Sequence, residues 1–189
     1  MNKTPIFLYL FIFLLGCQPI EKIDYVVFDN NQLSNFKILT NSIEIIEIFE
    51  KKISDPYIGH TLKVDPSERI RDWINNNFLA VGNENKFKVL ILDASITQNK
   101  FENKDAKNFD EKTNYKYELN YLIEFTLYDS YNNFIASTLV ESSRSTTSGI
   151  YISLDEKENI INDLIYQSLK DLSNESKKLL IKFMRDFIL

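Results

Sequence analysis

Between positions 115 and 128 the chain alternates. Tyr115, Tyr117, Leu119, Tyr121, Ile123, Phe125 and Leu127 share one parity; Lys116, Glu118, Asn120, Leu122, Glu124, Thr126 and Tyr128 share the other. Successive side chains of a strand point to opposite faces, so this spacing predicts a long strand with one aromatic-aliphatic face. The run Asp129-Ser130-Tyr131-Asn132-Asn133 has turn chemistry, and 134–145 reads as the returning strand of a hairpin. Upstream, 87–97 starts as an alternating strand and becomes apolar on both faces. That suits an interior strand covered by helices on one side, interrupted by Asp93. The β-branched run 42–49 supplies another strand, and the Asp55-Pro56 step breaks the chain into a loop through His60.

Two segments carry helical signals. Asp65-Pro66-Ser67-Glu68 offers an N-cap, a proline at the first helical position and an acid for a capping box. Ile70, Trp73, Ile74 and Phe78 follow at helical spacing, with Trp73 as core anchor and Gly82 placed to close the helix in a left-handed conformation. Ser153 to Glu156 forms a second capping box. It opens a pattern of Ile160, Ile161, Leu164, Ile165 and Leu169 that runs on through Leu172, Leu179, Leu180, Phe183 and Phe187. One long helix fits best, with a break at Ser173-Asn174 left open. The predicted fold class is α+β, in the order β-α-β-β-β-α. Two helices pack on one face of a mostly antiparallel four-stranded sheet. This single domain is expected over 42–189, preceded by a tether over 17–41 in which Tyr25-Val26-Val27-Phe28 is a brief apolar patch.

The N-terminus has a different character. Lys3 and the free amine form a short positive region, 6–15 is apolar without a polar break, and Leu14-Leu15-Gly16-Cys17 follows. The apolar run is about half the roughly 20 residues that a bilayer-spanning helix needs, which fits a signal peptide over 1–16. Leu14-Leu15-Gly16-Cys17 matches the lipobox of bacterial lipoproteins. Cleavage is expected between Gly16 and Cys17, with Cys17 the lipid-modified first residue of the mature chain. Two or three acyl chains, at about 0.8 kcal/mol per buried CH₂, amount to stable attachment. Among bacterial lipoproteins, Gln18 rather than Asp after the cysteine implies sorting to the outer membrane, with the inner membrane as the alternative. The expected site is the periplasmic face.

Composition narrows the chemistry. Cleavage leaves 173 of the 189 residues, enough for one domain whose core needs no disulfide or metal. The 22 basic against 27 acidic residues leave no clustered basic face for nucleic acid. Cys17 is the only cysteine and His60 the only histidine, which excludes an internal disulfide, a thiolate metal site and a two-histidine metal site. No cofactor is expected. A serine triad needs a histidine base, and no Gly-x-Ser-x-Gly elbow presents a nucleophile. A glycosidase needs only two carboxylates, for which Asp93 and Glu124 are the candidates. Asp93 is read first as the end of the buried segment or an ion-pair partner. The four glycines are isolated, so no phosphate-cradling loop exists. The Ser/Thr run 142–148 reads as a solvated strand end, with hydroxyls for a polar headgroup as the alternative.

With lipobox and element order together, the chain resembles two groups of small Gram-negative lipoproteins: the LPS-assembly lipoprotein that sits inside an outer-membrane translocon, and the auxiliary lipoprotein of ABC-type lipid transport systems. Asp65-Pro66-Ser67-Glu68 with Trp73, then Val89-Leu90-Ile91-Leu92-Asp93-Ala94-Ser95, is similar to uncharacterised lipoproteins of this general kind. The resemblance implies a non-enzymatic envelope role, in binding, assembly or transport, with the membrane reached through the anchor and an envelope protein or lipid as partner. A lipid or small-molecule carrier and an envelope hydrolase are the alternatives. Within 98–114, a polar connection, Phe101 and Phe109 are the candidate partner anchors unless they pack on each other.

Overall fold

The structure is a computed structural model that describes residues 24–103 and 112–189. The signal peptide, Gly16, Cys17 and Phe109 lie outside the described residues. Six strands and two α-helices follow in the order β1 (Phe36–Ile38), β2 (Ser42–Glu47), α1 (Pro66–Asn77), β3 (Phe78–Ala80), β4 (Lys86–Glu102), β5 (Thr113–Tyr128), β6 (Phe134–Gly149) and α2 (Leu154–Phe183). The main sheet has the order β2-β4-β5-β6, with β2 parallel to β4 and the other pairs antiparallel. It is the α+β arrangement expected, with β1 and β3 added as a small parallel pair.

The alternation in β5 places Tyr117, Leu119, Tyr121, Ile123, Phe125 and Leu127 in the core, all fully buried. Phe87, Val89, Ile91 and Ile96 of β4 share that face. α1 delivers Ile70, Trp73 and Ile74 onto it, and α2 delivers Ile161, Leu164, Ile165, Leu169, Leu172 and Leu180. Trp73 meets Phe78 edge-on at 5.2 Å and donates its indole N–H to the Ser34 carbonyl at 3.3 Å. Phe125 stacks with Phe78 and Phe87 at 5.7 and 5.6 Å in a three-ring cluster, joining the small sheet to the main one.

The N-cap half of each predicted capping box forms. The Asp65 carboxylate accepts from the Ser67 N–H, and the Ser153 hydroxyl accepts from the Glu156 N–H. α2 is one helix of 30 residues, continuous through Ser173 and Asn174. Ser173 sits inside it because its hydroxyl has a use there, accepting from the Ser34 N–H at 2.7 Å.

Three expectations are corrected. The stretch given to the tether belongs to the core from Leu33 onward, since Leu33, Phe36 and Ile38 are buried. β1 lies between β3 and the C-terminal residues, where Leu39 N–H donates to the Phe187 carbonyl and Leu189 N–H to the Lys37 carbonyl. Gly82 does not close α1 in a left-handed conformation. The helix ends at Asn77, the chain passes straight into β3, and no described glycine has a positive φ. The connection after β4 is shorter than 98–114, because the ladder runs to Glu102 opposite Thr113. From Asn99 to Glu102 the residues are exposed at both parities and so carry no hydrophobic alternation.

Candidate functional site

Of the residues proposed for chemistry, His60 and Asp93 both line one cavity, whereas Glu124 is not part of that lining. His60 sits exposed in a 3-10 turn, Gly59–Thr61. Asp93 neither ends the buried segment nor joins a described ion pair. It follows a β-bulge between Ile91 and Asp93, and its carboxylate accepts from the Ser95 N–H at 2.9 Å. Glu124 faces Leu90 across the ladder while Asp93 faces Leu122. Asp129 is a carboxylate whose pKa is displaced, and it is displaced downward, by hydrogen bonds from the Asn133 side chain and backbone and then from the Tyr131 N–H. A glycosidase acid needs the opposite shift. Among the described residues no group of three His, Cys, Asp or Glu side chains could hold a metal ion, and no helix is long and apolar enough to cross a membrane.

The Ser/Thr run belongs to β6 and alternates with the strand. Ser142 is buried and donates to the Ser168 carbonyl, and Ser148 meets the buried Tyr117 hydroxyl at 3.3 Å. Arg144 pairs with Asp171 of α2. Phe101, opposite Asn114 near the end of the β4–β5 ladder, is 37% exposed.

Two cavities are lined by described residues. The first, about 530 Å³, opens where β2 leaves the sheet and the following loop bows away from β4 at Leu92 to Ile96. Several of its polar groups are paired within the protein. Lys51 reaches Glu47 at 3.4 Å and Asp65 at 3.3 Å, and Lys52 donates to the Tyr57 hydroxyl at 2.9 Å. Burial pulls the Lys51 pKa down, but the carboxylates of Asp65 and Glu47 outweigh it and hold the ammonium above its usual range. Glu47 also holds Arg71 at 2.7 Å.

The second cavity, about 600 Å³, lies between the loop around Ile58 to Val64, the side of α1 at Arg69, Gln98 of β4 and the first two turns of α2. Ile58, Leu62, Val64, Leu154 and Ile161 form apolar walls, while Lys63, Lys157 and Glu158 bring charge to the lining. Lys63 and Glu158 pair at 2.8 Å, which leaves Lys157 and Arg69 as the cations free of a described ion pair in the lining. Two side-chain atoms here are buried without a hydrogen-bond partner in the protein, Arg69 Nε and Gln98 Oε1. A buried donor or acceptor left unmatched costs about 1–3 kcal/mol, and both atoms lie behind the accessible surface of the cavity wall. The Arg69 guanidinium is fixed by the Phe28 ring at 3.7 Å.

This lining comes from four separate segments, and the sequence marks none of it. Gln98 falls in the stretch read as connection, and Arg69 is one helical arginine among ordinary neighbours. The only signal was the apolar residue count of 58–64, too short to show a period.

No protein-family model and no curated protein sequence matches the chain. Solved structures with a partial likeness to the chain include a minor lipoprotein from Acinetobacter baumannii, with 9% identity, a TM-score of 0.41 and coverage of 75% of this chain and 90% of that one. Another is the rare lipoprotein B from Shewanella oneidensis, with 16% identity, a TM-score of 0.37 and coverage of 75% and 98%. Both are lipoproteins of Gram-negative bacteria.

Proposed function

We propose that the chain is a lipid-anchored envelope protein, attached through Cys17 at the periplasmic face of the outer membrane, whose folded domain is a non-enzymatic binding module for an envelope protein or lipid. The observation that carries the binding role is the second cavity, where the apolar walls of Ile58, Leu62, Val64, Leu154 and Ile161 meet Lys63, Lys157 and Glu158. The anchor rests on Leu14-Leu15-Gly16-Cys17 directly after the apolar run. A carrier of a lipid or small molecule is the second reading, favoured by the same apolar walls.

Labelling with a palmitate analogue tests the anchor: Cys17→Ser is expected to lose the label, and continued labelling removes the assignment. Native mass spectrometry of the detergent-extracted chain tests the cavity. Thr61→Trp places a large ring at an exposed position of its lining and is expected to abolish a bound mass seen with the parent. A protein adduct favours the assembly role and a lipid mass the carrier. A bound mass unchanged by Thr61→Trp places binding elsewhere.

A further inference from the structure

The path of the chain into the domain sets which end of it faces the membrane. The Tyr166 hydroxyl donates to the Asp29 carbonyl at 3.2 Å. Two turns nearer the start of α2, Asn159 holds the Val26 N–H at 2.9 Å and the Asp24 carbonyl at 3.1 Å. Going back along the chain from Asp29 to Asp24 therefore leads toward the N-terminal end of α2.

That end carries exposed apolar side chains. Leu154 is 77% and Tyr151 82% exposed, and Tyr25 is exposed as well. The β4–β5 ladder reaches the same end, since Lys157 lies 5.8 Å from the Tyr115 ring, and it brings Phe101 with it.

Length decides the orientation. Seven peptide steps separate Cys17 from Asp24, a reach of at most about 25 Å. From Asn159, where Asp24 is held, α2 continues to Phe183, about 36 Å away at 1.5 Å per residue, whereas Leu154 is only about 8 Å away in the other direction. With Cys17 in the bilayer, the tether is too short for the domain to stand on the C-terminal end of α2.

We propose that the domain rests on the membrane by the N-terminal end of α2, with Tyr151 and Leu154 in the interfacial layer and the second cavity opening at that end. This rests on the anchor at Cys17. The partner is the bilayer surface itself. Among the described residues, Lys63, Lys100, Lys112, Lys116 and Lys157 at this end are matched by Asp24, Glu102, Glu118, Asp155, Glu156 and Glu158, so attraction to anionic lipid is not the source of the contact. Aromatic and aliphatic side chains at headgroup depth are.

The test uses the full lipidated chain, reconstituted in zwitterionic phospholipid vesicles with or without brominated acyl chains. A lipidated Cys17 offers no thiol, so Leu154→Cys or, at the opposite end, Tyr131→Cys carries a single fluorophore; both positions are exposed. The Leu154→Cys label is expected to be quenched about two-fold or more by the brominated lipid, in low and high salt alike, and the Tyr131→Cys label not to be. Equal quenching at both positions, or none at Leu154→Cys, overturns the orientation while a lipidated N-terminal peptide by mass leaves the anchor standing. An unlipidated Cys17 overturns both.

Discussion

The Arg69 guanidinium lies 3.7 Å from the centroid of the Phe28 ring, whose edge packs on Tyr166 at 5.2 Å. One aromatic from the lead-in thus bridges α1 and α2 and fixes the cation that lines the cavity. A double-mutant cycle with Phe28→Leu and Arg69→Met is expected to give a coupling of about 0.5–1 kcal/mol in urea unfolding. Additive effects would show the contact to be incidental.

How far the fold was legible follows from signal length. The alternation from Tyr115 to Leu127 is long enough to be unambiguous, and all but Tyr115 at that parity are fully buried. Leu33, Phe36 and Ile38 are as deeply buried, yet a three-residue strand between polar neighbours has no period to detect. β3 was hidden for the same reason: Phe78 served the helical spacing and the small sheet equally well. The cavity was not legible at all. Its walls come from segments far apart in sequence, and nothing local to Arg69 or Gln98 shows that their polar atoms end up buried and unmatched.

Trp73 carries a large share of the α1 packing. It is fully buried against Phe36 and Phe78, and its N–H is satisfied by Ser34. Trp73→Ala is expected to destabilise by about 3–5 kcal/mol, read by circular dichroism in urea because the substitution removes the fluorophore. A loss under about 0.5 kcal/mol would match an ordinary surface change and contradict this packing.

Gly82 is required by contact rather than by conformation. A Cβ there would lie 2.6 Å from the Leu39 carbonyl carbon and 2.7 Å from the Thr40 nitrogen, both backbone atoms. The Gly82 N–H also donates to the Thr40 carbonyl at 3.0 Å, so the two segments cannot part without losing that bond. Gly82→Ala is expected to destabilise by about 1–3 kcal/mol, with the midpoint lowered at unchanged m-value. A neutral or stabilising result would mean that the β1 segment yields freely.

Asp129 organises the β5–β6 turn. Its carboxylate accepts from the backbone N–H of Tyr131 and Asn133 at 2.8 Å each and from the Asn133 side chain at 2.8 Å, beside Asn132 at φ 65°. The Asn133 bonds, then the Tyr131 N–H, lower its pKa in the folded state. A folded-state pKa below the unfolded one, about 3.9 for Asp, means that the unfolded chain binds the proton more readily. The turn's contribution is therefore present above about pH 4 and is lost as the pH falls through the folded-state value. Asp129→Asn keeps the acceptor oxygen but cannot titrate, so it is expected to lower stability at neutral pH and to flatten the fall in melting temperature below about pH 4. A variant curve parallel to the parent's through the acid limb would show that Asp129 has the same proton affinity folded and unfolded.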